Sequence, residues 1–326
     1  SNAGGDSNTV IGYSAGYGIT TGGDNVHIGY QAGRFSSGSN NTSLGFKAGY
    51  GSITSAPYST GTDNTSVGYQ ALTNFTAGTA NVALGYQALS ELRTGTYSVG
   101  IGVHAGDHAT GSYNTFVGGK AGMGGTTSAP FSSGQYNTAV GYNTLLSFTT
   151  GNYNVAMGYN AGDAITTGIN NTCIGAFAGS SLTTKSYNTL VGQGAGSALS
   201  GGDGNNNILG YGAGGLQTNG YMNVAIGSLA WYGVSGTNNS NYGVYVGNSA
   251  GQDVTTGDYN VMIGHKAGKD SNPDNCIFIG NYASASVANT SHEIIIGSGA
   301  DFSNGFHGGG TETIRIGRAS DFITND

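Results

Sequence analysis

The chain has 326 residues, 63 of them glycine, and charged residues make up only 8% of it, well below the roughly 25% of ordinary soluble domains. Its net charge is −7, its 9 lysines and arginines form no basic cluster, and no apolar run approaches the ~20 residues of a membrane helix, so we expect neither nucleic acid nor membrane insertion. Hydrophobic residues still reach 37% at regular spacing, which argues against disorder.

A short motif begins soon after the N-terminus and recurs along the chain. Residues 1–3 are predicted to be an expression-tag remnant, and no initiating Met follows, so we expect an internal piece of a longer protein. From residue 4 to 270 the motif is Asn-[Thr/Val]-x-[Ile/Val/Leu]-Gly-Tyr-x-Ala-[Gly/Leu], as at Asn8 and Asn154. Its central glycine continues to Gly317, giving eighteen coils with a commonest spacing of 17 residues. We therefore predict an all-β fold, a repetitive parallel β-roll or β-solenoid of about 18 short coils.

The residues before the central glycine predict one short strand in each coil. Counted from that glycine, position −1 is aliphatic in all eighteen coils, and position −3 is Thr, Val or Ile in seventeen. These two positions share one face of a strand, and β-branched residues favour that conformation. Because its threonines alternate with Val and Ile, the −3 column is predicted to point inward. Position +3 is Ala in sixteen coils, which permits close approach of another chain segment.

Position −2 lies on the opposite face of the same strand, and it is also mostly apolar. Thirteen of eighteen coils have an apolar residue there, and only His27 and Arg315 could carry a charge. A strand that is apolar on both faces must be covered on both faces. A coil of this length can cover one face itself, so we predict that another subunit covers the second.

Asparagine occupies position −4 in thirteen coils, from Asn8 to Asn260. One interpretation is a polar binding strip. The favoured interpretation is an amide ladder in which each Asn side chain bonds the next coil about 4.8 Å away, because Asn follows a glycine-containing turn and leads into the strand.

Irregular loops on a regular scaffold are the expected places for recognition. Residues 5–77 and 78–150 align at a shift of 73, and each block contains one coil lengthened to 23 residues. The insertions bring Tyr58 and Phe131 into equivalent positions. A further irregular segment begins at Trp231, the only tryptophan, and Tyr232. These four residues are the predicted binding residues.

An aromatic residue also follows the central glycine in eight coils. If these side chains face outward, they form a stacked stripe suited to sugar rings or a protein receptor; if they lie between subunits, they are core. Packing between subunits is the favoured interpretation. The residues are Tyr13, Tyr30, Phe46, Tyr69, Tyr86, Tyr142, Tyr159 and Tyr211.

The pattern becomes irregular over residues 271–326. Stronger strands are predicted there around Phe278, Ile295 and Arg315, with a glycine-rich segment at 301–312. We predict an irregular β cap or a transition to a following domain, since a parallel stack needs its exposed ends covered.

The repeat resembles the heads of trimeric autotransporter adhesins of the YadA-like type, through the segments Asn81-Val82-Ala83-Leu84-Gly85 and Asn223-Val224-Ala225-Ile226-Gly227. The Asn-Thr-x-x-Gly-Tyr-x-Ala-Gly form, with Thr-Thr-Gly linkers, is still more similar to bacteriophage tail-fibre repeats. The resemblance covers about residues 5–270 and implies a trimeric attachment fibre. Such a fibre is expected outside the cell, on a cell surface or a virion tail, where it binds a cell-surface glycan or protein.

No catalytic constellation is evident in the sequence, so no enzyme activity, cofactor or metal site is predicted. His104 and His108 are four residues apart, but they fall on a strand and turn rather than on a helix. The leading hypothesis is a structural and adhesive fibre. The alternatives are an ice- or surface-binding β-solenoid, motivated by low charge and Thr-rich turns, and a glycan-degrading tailspike, which needs two converging carboxylates.

Overall fold

The computed structural model describes residues 5–52, 58–125, 131–234, 236, 238–284 and 291–298, together with the backbone of 313–316. The chain forms two compact units, Ser1–Ile169 and Asn170–Asp326. The first unit contains β1–β9, at Thr9–Ile11, Val26–Ile28, Thr42–Leu44, Thr65–Val67, Val82–Leu84, Val99–Ile101, Thr115–Val117, Thr138–Val140 and Val155–Met157. The second contains β10–β18, at Thr172–Ile174, Thr189–Val191, Asn207–Leu209, Val224–Ile226, Val244–Val246, Val261–Ile263, Ile277–Ile279, Glu293–Ile296 and Thr313–Ile316.

Within each unit, every strand pairs in parallel with the strand of the next coil. Thr9 of β1 lies opposite Val26 of β2, and Thr172 of β10 lies opposite Thr189 of β11. The strands end at position −1 in every coil, so the central glycine follows each of them directly. The predicted all-β parallel β-solenoid and its register are thereby confirmed.

The central glycine is required because the chain turns there against the equivalent glycine of the next coil. Gly12 has φ +129°, outside the range of L-residues, and a Cβ at this position would lie 2.4 Å from the carbonyl oxygen of Gly29. The same conformation and the same close approach recur at Gly85 against Gly102. A residue with a side chain would therefore push the coils apart.

The face of the strands that points into the solenoid is the opposite of the one predicted for the threonine column. In β2–β17 the side chain at position −2 is buried, whereas those at −3 and −1 are half-buried or exposed. The prediction that the −3 threonines point inward is therefore wrong. A Cβ built at Gly179, position +4, would lie 2.8 Å from Cys173 Sγ at −2 and 3.0 Å from Leu182 Cδ1 at +7. The −2 column is therefore covered within the chain, and the −3 and −1 columns are the ones left open.

The asparagine column forms the predicted amide ladder. The backbone N–H of Asn41 donates to Asn25 Oδ1 at 2.8 Å, and that of Asn64 donates to Asn41 Oδ1 at 3.0 Å. In the second unit the N–H of Asn206 donates to Asn188 Oδ1 at 3.1 Å. These side chains are buried, which confirms their structural role.

The predicted cap at 271–326 is described only in part. The strands β16, β17 and β18 fall in it and continue the parallel pairing of the second unit. Residues 285–290, 299–312 and 317–326 lie outside the described residues. The cap therefore stays a prediction.

Candidate functional site

The side chains at positions −3 and −1 make an open surface of aliphatic residues and threonines, which we call the outer strand face. Ile11, Leu44 and Leu84 of the first unit are 59%, 45% and 44% exposed. In both units, none of the described −3 and −1 positions of β1–β17 holds a charged residue. An uncharged surface with a continuous apolar column, here position −1, marks an interaction site more often than a solvated face.

Five aromatic residues at position +1 stack on one another along the first unit and form the first aromatic ladder. Consecutive ring centroids are 5.3, 5.2, 5.0 and 5.2 Å apart, with ring planes within 14° of parallel. The side chains are between 37% and 68% exposed, so within a single chain they face outward. The members are Tyr13, Tyr30, Phe46, Tyr69 and Tyr86.

A second aromatic ladder stands at position −5 in later coils of the same unit. Tyr97, Tyr113, Tyr136 and Tyr153 stack with centroid separations of 5.6, 4.9 and 4.9 Å. All four have positive φ, between 54° and 60°, so the backbone holds them in the left-handed region just before the buried −4 residue. Sequence reasoning missed this ladder, although the recurrence of Tyr five residues before the central glycine was a visible signal.

The predicted residues Tyr58 and Phe131 each belong to a small cluster of rings and a cation. Tyr58 stacks on Phe35 at 5.5 Å, and the guanidinium of Arg34 lies 5.1 Å from the same Phe35 ring. At the equivalent place 73 residues later, Phe131 stacks at 6.1 Å on His108. Both predicted residues are half-buried, and the adjoining insertions 53–57 and 126–130 lie outside the described residues.

The guanidinium of Arg93 completes the second cluster, 5.6 Å from the Phe131 ring. A cation over an aromatic face stabilises both groups. The two clusters therefore hold Tyr58 and Phe131 in place in the lengthened coils.

Trp231, predicted as an exposed binding residue, lies in the core. It is fully buried and stacks on Tyr245 with ring centroids 5.9 Å apart and planes 4° from parallel. It occupies position +4, where a large side chain compensates for the small Ala225 at position −2 of the same coil. Its prediction as a binding residue is wrong because it has no surface to present to a ligand.

The neighbouring Tyr232 is half-buried and lines a surface groove of about 480 Å³ in the second unit. The rings of Phe177 and Tyr211 line the same groove. Tyr211 is one of the position +1 aromatics, and it is 60% exposed. Of the four predicted binding residues, Tyr232 is therefore the one that the structure brings together with other aromatic side chains around a concave surface.

No Asp, Glu, His, Lys or Arg is among the described residues that line this groove. Burial without a hydrogen-bond partner lowers the pKa of His27 from 6.5 to about 4. Partial burial, then a hydrogen bond and charge repulsion from Asp270, raises the pKa of Asp253 to about 6. Neither aspartate lines the groove.

The described residues contain neither a candidate metal-binding cluster nor a helix that could span a membrane. In those ranges no group of three or more His, Cys, Asp or Glu side chains is arranged to hold a metal ion. Within the same ranges, no helix has the length and apolar character needed to cross a membrane.

The fold defines the chain as a β-solenoid repeat protein. No protein-family model matches the sequence, and neither the curated proteins nor the solved structures contain a match.

Proposed function

We propose that the protein is a non-catalytic structural and adhesive fibre that associates with copies of itself, as a homotrimer, through the outer strand face. The observation that carries this proposal is an uncharged apolar column, position −1, whose side chains are half-buried or exposed in every described coil. An attachment fibre of this kind acts outside the cell, on a cell surface or a virion tail. Its partner there is a glycan or protein receptor.

The size of the outer strand face supports self-association. Nine strands about 4.8 Å apart span about 38 Å, and a three-residue strand is about 10 Å long, so the first unit offers about 400 Å². The described strands β10–β17 of the second unit offer about 300 Å² on the same reckoning. Each of these areas is about half of the ~800 Å² that each partner contributes to a standard protein interface, so we propose that both units take part in self-association.

The aromatic ladders support the adhesive part of the proposal. A ladder of stacked rings presents a continuous stripe of ring edges and Tyr hydroxyls at low entropic cost, since each ring is already held by its neighbours. The first aromatic ladder is at position +1, two residues after position −1 of the outer strand face. The two surfaces are therefore neighbours along the chain in each coil. A receptor can then bind the rings that self-association leaves uncovered.

The solution mass, measured by light scattering on a sizing column, tests self-association. We expect about three times 32.6 kDa for the unmodified chain. Leu84→Asp places a carboxylate on the outer strand face, so it should give a monomer that keeps its β circular dichroism. Thr94→Asp adds the same charge at an exposed position off the strands and should leave the assembly intact. A 32.6 kDa unmodified chain would overturn the homotrimer.

One observation favours a second candidate function, an ice- or surface-binding β-solenoid. The −3 column faces outward, and in β1–β11 it consists of Thr or Val only. A regular outward array of threonines on a flat sheet could bind an ordered surface. This candidate requires a monomer with measurable thermal hysteresis, so a trimer without hysteresis would remove it.

A further inference from the structure

The groove beside Tyr232 arises from two missing side chains. At position +2, Gly194 and Gly212 stand between the larger Phe177 and Leu229 of the flanking coils. Since equivalent side chains stack about 4.8 Å apart, two successive glycines leave a gap about 10 Å long in this column. A Cβ built at Gly194 meets no atom within 4 Å, so this part of the gap is open space, whereas a Cβ built at Gly212 would lie 2.9 Å from Leu229 Cδ2.

The groove combines aromatic rings with neutral polar groups. Tyr211 and Tyr232 supply rings, and Gln193 and Ser197 supply an amide and a hydroxyl. None of the described residues that line the groove is charged. Its volume of about 480 Å³ lies within the ~300–1,000 Å³ typical of sites for small ligands.

We propose that this groove binds a neutral saccharide unit. A pyranose ring has an apolar C–H face that packs on an aromatic ring, and its hydroxyls bond to amide and hydroxyl groups. An acidic saccharide would bury its carboxylate against uncharged walls, at a cost that no cation in the lining offsets. The lining therefore favours neutral sugars over anionic ones.

The groove and the proposed assembly surface use different residues of the coil. The groove is lined by positions +1 to +6, whereas the outer strand face is formed by positions −3 and −1. A chain can therefore associate and bind sugar at once. This inference deepens the proposed attachment function and rests on it, because it names the receptor chemistry and the site.

Gly194→Gln tests the site by filling the groove. The residue has φ +67°, and Gln31 and Gln70 already occupy position +2 of their coils with φ 58° and 55°. The backbone therefore accepts glutamine there, and its side chain extends into the open space. Ser14→Gln is the matched control, since it makes the same residue at position +2 with φ 53°, outside the groove.

The assay measures binding of the labelled full chain to immobilised neutral oligosaccharides of glucose, galactose, mannose and their N-acetyl forms. Sialylated and uronic-acid oligosaccharides serve as anionic counterparts. We expect binding to at least one neutral member that Gly194→Gln weakens by at least about tenfold and that Ser14→Gln leaves unchanged. Tyr211→Ala, which removes a 60% exposed ring from the wall, should weaken the same binding.

Three results would overturn the groove assignment: no binding to the neutral panel, binding to anionic members alone, or neutral binding that survives both groove variants. The solution mass of each protein separates this inference from the proposed fibre. A trimer without saccharide binding refutes the groove and leaves the fibre. A monomer whose saccharide binding is lost in Gly194→Gln refutes the fibre and leaves the groove.

Discussion

Replacing a single rung of the asparagine ladder should destabilise the first unit strongly. The Asn81 side chain is fully buried, and its Oδ1 accepts the backbone N–H of Ser98 at 2.9 Å. Its Nδ2 donates to Asn64 Oδ1 at 3.1 Å and to the Gly95 carbonyl at 2.9 Å. Asn81→Ala removes these three bonds. Asn64 Oδ1 keeps the backbone N–H of residue 81, at 3.0 Å, but the Ser98 N–H and the Gly95 carbonyl lose their partner.

The expected loss follows from the two buried groups left unpaired. Each costs about 1–3 kcal/mol, so Asn81→Ala should lower the free energy of unfolding by about 4 kcal/mol. Ser98 already stands at the same position of the next coil and makes longer bonds, accepting from the Asn114 N–H at 3.3 Å. Asn81→Ser should therefore cost about half as much, and Ser98→Asn should stabilise by up to about 1 kcal/mol.

Urea unfolding followed by circular dichroism, at one protein concentration, measures these differences. Asn40→Ala is the matched control, because Asn40 is exposed and makes one exposed bond, to Asp63 at 3.0 Å. Ala80 already holds the same position and conformation, with φ 56°. The control should change stability by no more than about 1 kcal/mol. An Asn81→Ala protein as stable as this control would refute the structural role of the ladder.

Three further predictions concern buried groups. Trp231→Ala should cost about 3–5 kcal/mol of stability, and in the unmodified chain its emission should resist quenching by acrylamide; ready quenching would contradict its burial. Because burial lowers the pKa of His27 to about 4, the unfolded chain binds more protons than the folded chain below pH 6.5. The contribution of neutral His27 to the free energy of unfolding should therefore be fully present above pH 6.5, and it should fall by about 3 kcal/mol towards pH 4. His27→Leu should remove this part of the pH dependence, and denaturation at each pH measures it. Burial raises the pKa of the Cys173 thiol from 9.0 to about 12, so at pH 8 its alkylation by iodoacetamide, followed by mass spectrometry, should be about 1,000-fold slower in the folded chain than in urea.

The strands and their register were predictable because the local signals agree. A β-branched or aliphatic residue at −3 and −1 favours a strand, and a glycine with φ near +130° must end it. The Asn at −4 adds a hydrogen bond that repeats with the same register in the next coil. Each signal is local to one coil, and repetition over many coils makes an accidental match improbable.

Which face of the strands points into the core was not predictable from the sequence, since both faces are mostly apolar. Which face is inward depends on what the rest of the coil places opposite it, and this packing partner is not adjacent in sequence. The buried Ala at +3 and the buried residues at +7, such as Phe75 and Ile165, cover the −2 column. Alternation alone could not show that these residues, rather than another subunit, do so.

Trp231 shows which sequence pattern indicates the inward face of the strand. Positions −2 and +4 share one space in the core, so a large residue at one requires a small residue at the other. Phe116 at −2 is paired with Gly122 at +4, where a Cβ would lie 2.1 Å from the Phe116 ring.

The reverse arrangement places a small residue at −2 and a large one at +4. Ala83 with Leu89, Ala139 with Leu145, and Ala225 with Trp231 all follow it, and all six side chains are fully buried. Position +4 is usually glycine or leucine. Trp231 occupies it because the small Ala225 at −2 leaves space in the core, so this unusual residue does not indicate a binding site. By the same reasoning, a glycine at position +2, where larger side chains are usual, leaves space at the surface if no neighbouring side chain fills it. Gly194 is such a residue.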